Sequence, residues 1–164
     1  MSTFVSVGNS RYQMHRLLSA VCNFSKHLPQ PVFVQHGHTP FDCAGVKSRA
    51  FVSQQQFEQS LIKADVIVLH GGGGSILQAN KIGKVPVVMP RLAGWREHVD
   101  DHQLAICRKL EEMGKVVLLE QPDNLLEAVT QAMALPRAGY ARTGNSQMLG
   151  LVDAALKAVA EEKA

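Results

Sequence analysis

The stretch Ala64-Asp-Val-Ile-Val-Leu-His70-Gly71-Gly72-Gly73-Gly74-Ser75-Ile-Leu-Gln78 decides how this chain is read. Its apolar run, residues 66–69, has the length and composition of a buried strand. Four glycines and a serine follow, and then helical patterning. Glycine loses more backbone freedom on folding than any other residue, so four in a row are a poor choice for stability alone. What they permit is close approach of a ligand to bare backbone N–H groups, at a helix N-terminus whose dipole favours negative charge. A phosphate-bearing ligand is the natural occupant. The plainer alternative is a tight turn that needed one or two glycines and carries more. Strand, glycines and helix start nevertheless stand in the order an anion site requires. Ser75 reads as the helix N-cap rather than a nucleophile, because no glycine follows it two places on as in a nucleophile elbow.

Two common phosphate motifs are excluded. A P-loop closes on Gly-Lys-Ser/Thr, and Gly74-Ser75 has no lysine between its members. The dinucleotide fingerprint belongs after the first strand with spaced glycines, whereas residues 3–7 lead into Gly8-Asn9-Ser10 alone. A mononucleotide or nucleotide-sugar site, late in an α/β chain, fits better.

The rest of the chain alternates strand and helix. Short apolar, β-branched runs at 3–7, 31–35, 49–53, 66–69, 85–89 and 115–119 predict strands. Apolar stripes predict helices over 12–27, 54–63, 75–82, 98–113 and 123–133, with Ser53 capping the second and Gly114 closing the fourth. That pattern implies a parallel sheet covered on both faces. The 164 residues read as a single domain of 1–164, and a final amphipathic helix is expected at about 146–161, packed on its own domain or on a partner.

At 46% hydrophobic and 19% charged, the composition is that of a globular protein. The net charge of +3 comes from scattered residues, so no nucleic-acid footprint is expected. No run has the length of a membrane span. Cys22, Cys43 and Cys107 lack metal-ligand spacing and read as reduced thiols in a cytosolic protein.

In a parallel sheet, ligands bind at the carboxyl ends of the strands. The loops expected there are Gly8 to Arg11, Gln35 to His38, His70 to Ser75, and Pro90 to Gln103. The last is dense in polar groups beyond what a helix cap needs: Arg91, Arg96, Glu97, His98, Asp100, Asp101, His102 and Gln103. The arginines could meet diphosphate charge, and His102 and Gln103 could hydrogen-bond sugar hydroxyls. His98 and His102 stand at i and i+4, a metal-compatible spacing, but no third ligand is marked and none is expected to be bound. His36 and His38 read as a polar loop.

Together, His70-Gly-Gly-Gly-Gly-Ser75, Pro90-Arg91 and Glu97-His98-Val-Asp-Asp-His102-Gln103 resemble the C-terminal, donor-binding half of GT-B glycosyltransferases of family 28, over about residues 3–133. Within that group the chain is most similar to the small subunits of two-chain bacterial capsule and exopolysaccharide transferases, where Gly8-Asn9-Ser10 is also usual. It resembles likewise the catalytic subunit of the eukaryotic dolichol-linked N-acetylglucosaminyltransferase. The resemblance implies a three-layer, Rossmann-like sheet. It implies that Gly8, Asn9, His70, Gly71, Gly72, Gly73, Gly74 and Ser75 hold the nucleotide diphosphate. Position 78, often a glutamate that binds the ribose, is Gln78 here; an amide holds a diol less firmly than a carboxylate. Arg91, Glu97, His98, His102 and Gln103 would bind the donor sugar, the last two reading it.

Such enzymes invert the anomeric centre with no metal and no cofactor, the UDP-sugar being a substrate. The general base would lie on a partner chain, so no catalytic residue is assigned. The expected partner is a membrane-anchored subunit binding a lipid-linked acceptor, with this chain cytoplasmic and peripheral at the inner face of the membrane. Two other readings stand beside this one. The first is a stand-alone nucleotide-sugar binding or regulatory module without turnover. The second is a fragment of a non-hydrolysing nucleotide-sugar epimerase.

Overall fold

The computed structural model describes residues 1–136. Among them six strands, β1 (Thr3–Ser6), β2 (Val32–Gln35), β3 (Lys47–Arg49), β4 (Val66–His70), β5 (Val87–Met89) and β6 (Val117–Leu118), alternate with five helices. These are α1 (His15–Phe24), α2 (Gln54–Lys63), α3 (Gly73–Lys81), α4 (His102–Glu112) and α5 (Leu125–Ala134). All strands pair in parallel in the order β3-β2-β1-β4-β5-β6, with Thr3 facing Val32 on one side and Val66 on the other. This is the α/β, Rossmann-like sheet that the alternation predicts.

Period-two alternation divides the core into two layers. Val5, Val66, Val68, Val87 and Met89 point to one face, where Leu17, Leu18 and Val21 of α1 and Leu125 and Val129 of α5 cover them. Phe4, Ile67, Leu69 and Val88 point to the other, against Leu61 of α2, Ile76 and Ala79 of α3, and Ile106 and Leu110 of α4. Strands buried on both sides must be apolar throughout, which is why residues 66–69 show no polar alternation. Phe4 anchors the second layer, stacked on Phe33 at 5.7 Å and edge-on to Phe57 at 5.5 Å. Ser53 caps α2 as expected, and the structure adds the reciprocal half of a capping box, Ser53 Oγ accepting from Gln56 N–H and Gln56 Oε1 from Ser53 N–H.

Several expectations are corrected. The third strand lies at Lys47–Arg49, ahead of residues 49–53, and is an exposed edge, so no buried run marks it. The first helix is shorter than 12–27 and ends in a 3-10 turn, Ser25–His27. The fourth begins at His102 rather than residue 98, because a 3-10 turn at Ala93–Trp95 and Arg96 at φ 56° break the chain's direction first. Cys22 and Cys43 are not reduced: they form a disulfide joining α1 to the β2–β3 connection, across a Cα separation of 5.8 Å. Only folding brings these two together, since 21 residues separate them in the chain. Cys107 is free and buried, its thiol pushed up to about 12 by burial and then by Glu111. The helix expected at 146–161 lies outside the described residues.

Removing Phe4, which is 2% exposed, leaves a void between two rings. Phe4→Ala should lower the unfolding free energy by about 3–5 kcal/mol in urea titrations, and Phe4→Leu by clearly less.

Candidate functional site

The strand order turns at the β1–β4 pair: the chain leaves β1 toward β2 and leaves β4 toward β5, on opposite sides. At such a switch point the two loops diverge and open a crevice above the carboxyl ends of the strands. The loops here are Gly8-Asn9-Ser10 and Gly71 to Gly74. The first is positioned by a buried polar network. Ser6 Oγ donates to Gln35 Oε1 at 2.5 Å and accepts from Gly8 N–H, while Gln35 Nε2 donates to Asn9 Oδ1 at 2.8 Å.

The glycines around the crevice divide into two kinds. Gly8 has φ +72°, and a Cβ there would lie 2.4 Å from Nε2 of His70. A Cβ on Gly72 would lie 2.2 Å from Cε1 of the same ring, and one on Gly71 2.9 Å from Gln103 Oε1. These three are glycine because an imidazole and an amide are packed against their backbone. Gly73 and Gly74 meet nothing within 4 Å. Neither carries a positive φ, so folding does not demand glycine at either position.

Both lie in the first turn of α3, whose N-cap is Gly72; this corrects the expectation for Ser75, which stands inside the helix and caps nothing. The first intrahelical bond runs from Ile76 N–H to Gly72 C=O at 3.3 Å. The N–H groups of Gly73, Gly74 and Ser75 precede it and point out of the helix end. The result is an open cradle of backbone donors.

His70 is the wedge beside this cradle. Burial, then Arg91, then His98 lower its pKa from 6.5 to about 3, with Gln103 beside the ring acting weakly the other way. Among the described residues, its buried Nδ1 meets no hydrogen-bond partner. The ring is therefore neutral: it shapes the cradle and adds no charge to it.

Arg91 and Glu97, expected as sugar-binding groups at the rim, are instead buried, at 1% and 2% exposure. Arg91 Nη2 donates to Val7 C=O at 2.6 Å, and Nη1 to Tyr12 C=O at 2.7 Å and Glu97 C=O at 3.2 Å. Glu97 pairs with Arg16 at 2.8 Å and accepts from Leu92 N–H. Arg16 Nη2 also donates to Pro90 C=O at 2.8 Å. Two arginines and one carboxylate thus bind the loop after β5 to the end of β1 and the start of α1. Sequence alone does not separate an arginine that grips carbonyls from one that waits for phosphate. Burial lowers the Arg91 pKa, against the pull of Glu97.

The rim itself carries other groups. Gln103 is buried, its Oε1 accepting from Arg91 N–H at 3.0 Å. His98 and His102 are partly exposed, their rings edge to face at 4.6 Å. Asp100 Oδ1 lies 3.5 Å from His98 Nδ1 and is hydrogen-bonded to Nδ1 of His102. This carboxylate between two imidazoles was missed as a partner in the sequence, where only the i, i+4 histidines stand out. Gln78, on α3, accepts from Gln54 Nε2 at 3.4 Å. Trp95 stands 65% exposed, with the Arg16 guanidinium 5.9 Å from its ring.

Two outcomes follow from this geometry. Gly72→Ala should destabilise the fold, whereas Gly74→Ala should leave it unchanged or raise stability by roughly 0.5–1 kcal/mol, as measured by urea unfolding. For His70, the depressed pKa means that below about 6.5 the unfolded chain takes up a proton the fold refuses, so stability drops as pH falls toward about 3. His70→Asn should flatten that decline by up to about 1.4 kcal/mol per pH unit in unfolding titrations between about pH 7 and pH 4.

Comparisons with known proteins bear on the family and the fold. Residues 18–157 match the model of the glycosyltransferase family 28 C-terminal domain. Over 67 residues the chain is 36% identical to the UDP-N-acetylglucosamine--N-acetylmuramyl-(pentapeptide) pyrophosphoryl-undecaprenol N-acetylglucosamine transferase of Rubrobacter xylanophilus, covering 41% of this chain and 18% of that enzyme. Two solved structures share the fold. The glycosyltransferase of kitacinnamycin matches 96% of this chain and 39% of its own at a TM-score of 0.63 and 21% identity. The calicheamicin glycosyltransferase CalG4 matches 98% and 38% at 0.59 and 18%. The chain thus spans about two fifths of those structures and less than a fifth of the curated relative. By its sheet, its switch-point cradle and the family match over most of its length, this chain belongs to glycosyltransferase family 28, as the family's C-terminal domain.

Proposed function

We propose that this chain is the donor-binding subunit of a split, inverting glycosyltransferase that moves a hexose or N-acetylhexosamine from a UDP-sugar to a lipid-linked acceptor. The observation that carries this reading is the open first turn of α3. Three N–H groups and a helix dipole face the crevice, and Gly73 and Gly74 carry no side chain there although folding does not require glycine at either. A diphosphate fits that chemistry. Charge building on the departing nucleoside diphosphate would be met there by preorganised backbone donors, the electrostatic stabilisation on which such a displacement relies. Asn9 and Gln78 flank the cradle as candidates for the rest of the nucleotide, and His98 and His102 for the sugar.

The Rubrobacter relative carries a UDP-sugar and an undecaprenyl-linked acceptor in its name, which supports the same classes of donor and acceptor here. These residues match about two fifths of each solved glycosyltransferase, which supports a donor-binding part of such an enzyme rather than the whole. We assign acceptor binding and the general base that activates the acceptor hydroxyl to a separate, membrane-anchored subunit. That partner would hold this chain at the cytoplasmic face of the membrane; among the described residues no helix is long and apolar enough to cross it.

The test is calorimetric. UDP should bind the unaltered chain, and Gly73→Val, at a position where an added Cβ meets nothing within 4 Å, should fold normally by circular dichroism yet lose UDP affinity by more than about tenfold. Unchanged UDP affinity in that variant removes the reading. His102→Ala should weaken an intact UDP-sugar more than free UDP; equal losses for the two ligands would show that His102 does not face the sugar.

A further inference from the structure

We infer that His98, Asp100 and His102 form a binding site for a transition-metal dication of the zinc type. Two imidazoles and a carboxylate each offer one ligand atom, and all three atoms lie within 4.8 Å of one another. The sequence supplied only the pair of histidines; the loop that precedes α4 folds Asp100 between them, completing a two-histidine, one-carboxylate set. Ligands about 2.1 Å from a tetrahedral zinc ion stand about 3.4 Å apart. The 3.5 Å between His98 Nδ1 and Asp100 Oδ1 is already that spacing; an ion would replace the hydrogen bond from His102 Nδ1 to the same oxygen and the 3.4 Å contact of Asp100 N–H with His98 Nδ1.

The donor set selects the metal. Imidazole nitrogens suit zinc, cobalt, nickel and copper, whereas magnesium and calcium favour shells of oxygen. Three protein ligands at a partly exposed position leave further coordination sites open to water or to a ligand oxygen. The N-terminus of α4, which begins at His102, opposes a cation there, and the adjacent carboxylates of Asp100 and Asp101 offset it. Asp101 is itself held in place, its Oδ1 accepting from Ala93 N–H at 2.7 Å, so the loop that presents the three ligands is tied down. The ion and a donor sugar would draw on the same imidazoles, which makes the metal an occupant of the donor-free chain.

The experiment uses the full chain without an affinity tag, free of nucleotide, so its outcome does not depend on the donor reading. Cobalt(II) is titrated in by visible absorption, and zinc by competition with a chromogenic chelator. One equivalent of each should bind, cobalt with the bands of a four- or five-coordinate ion. His98→Ala and Asp100→Asn should each weaken binding by about tenfold or more, and His36→Ala should leave it unchanged. Asparagine keeps an acceptor for the His102 N–H and so preserves the turn; circular dichroism confirms the fold of each variant. Failure to bind one equivalent, or binding that survives either ligand substitution, overturns the assignment.

Discussion

A single buried guanidinium holds the carboxyl edge of the sheet together. Arg91 reaches from the loop after β5 to the carbonyl ending β1 and to the one preceding α1, three elements that no strand pairing joins at that edge. A charge this deep is costly unless its donors are satisfied, and here the carbonyls of Val7, Tyr12 and Glu97 satisfy two of its nitrogens. The Arg16–Glu97 pair, itself buried, closes the same loop from the side of α1. The crevice between β1 and β4 has walls of fixed position because this clamp stands beside it.

The glycine loop packs beside this clamp, where Gly71 lies against Pro90 and Gln103. Strand pairing already holds the ends of β1 and β4 close, so His70 has room only where Gly8 and Gly72 lack side chains, and Gln103 only where Gly71 does. Packing therefore requires only some members of one glycine run. Gly71 and Gly72 let the protein close on itself, and Gly73 and Gly74 leave the first turn of α3 uncovered.

Most of the architecture was readable because its cause is local. Apolar β-branched runs, helical stripes, a helix cap and the order strand–glycine–helix each leave a mark within a few residues. Ser53 caps α2 as its position before the helical stripe indicates. What the sequence concealed depends on contacts between distant segments. Arg91 looks like a phosphate ligand until Val7, 84 residues earlier, is seen to accept from it. Cys22 and Cys43 carry no spacing signature, and only the packing of α1 against the β2–β3 connection joins them. Asp100 looked like one more charge in a polar loop, because its relation to His98 and His102 depends on how that loop turns before α4. Ser75 was misplaced for a different reason: backbone geometry, not side-chain preference, begins α3 within the glycines.

The indole at position 95 has a use beyond structure. It is the chain's one tryptophan, it stands largely in water, and the cation at its face belongs to the clamp. Any ligand that settles on the rim or shifts that clamp alters the surroundings of a lone fluorophore. The protein therefore carries its own optical reporter, with no second emitter of its kind to blur the signal.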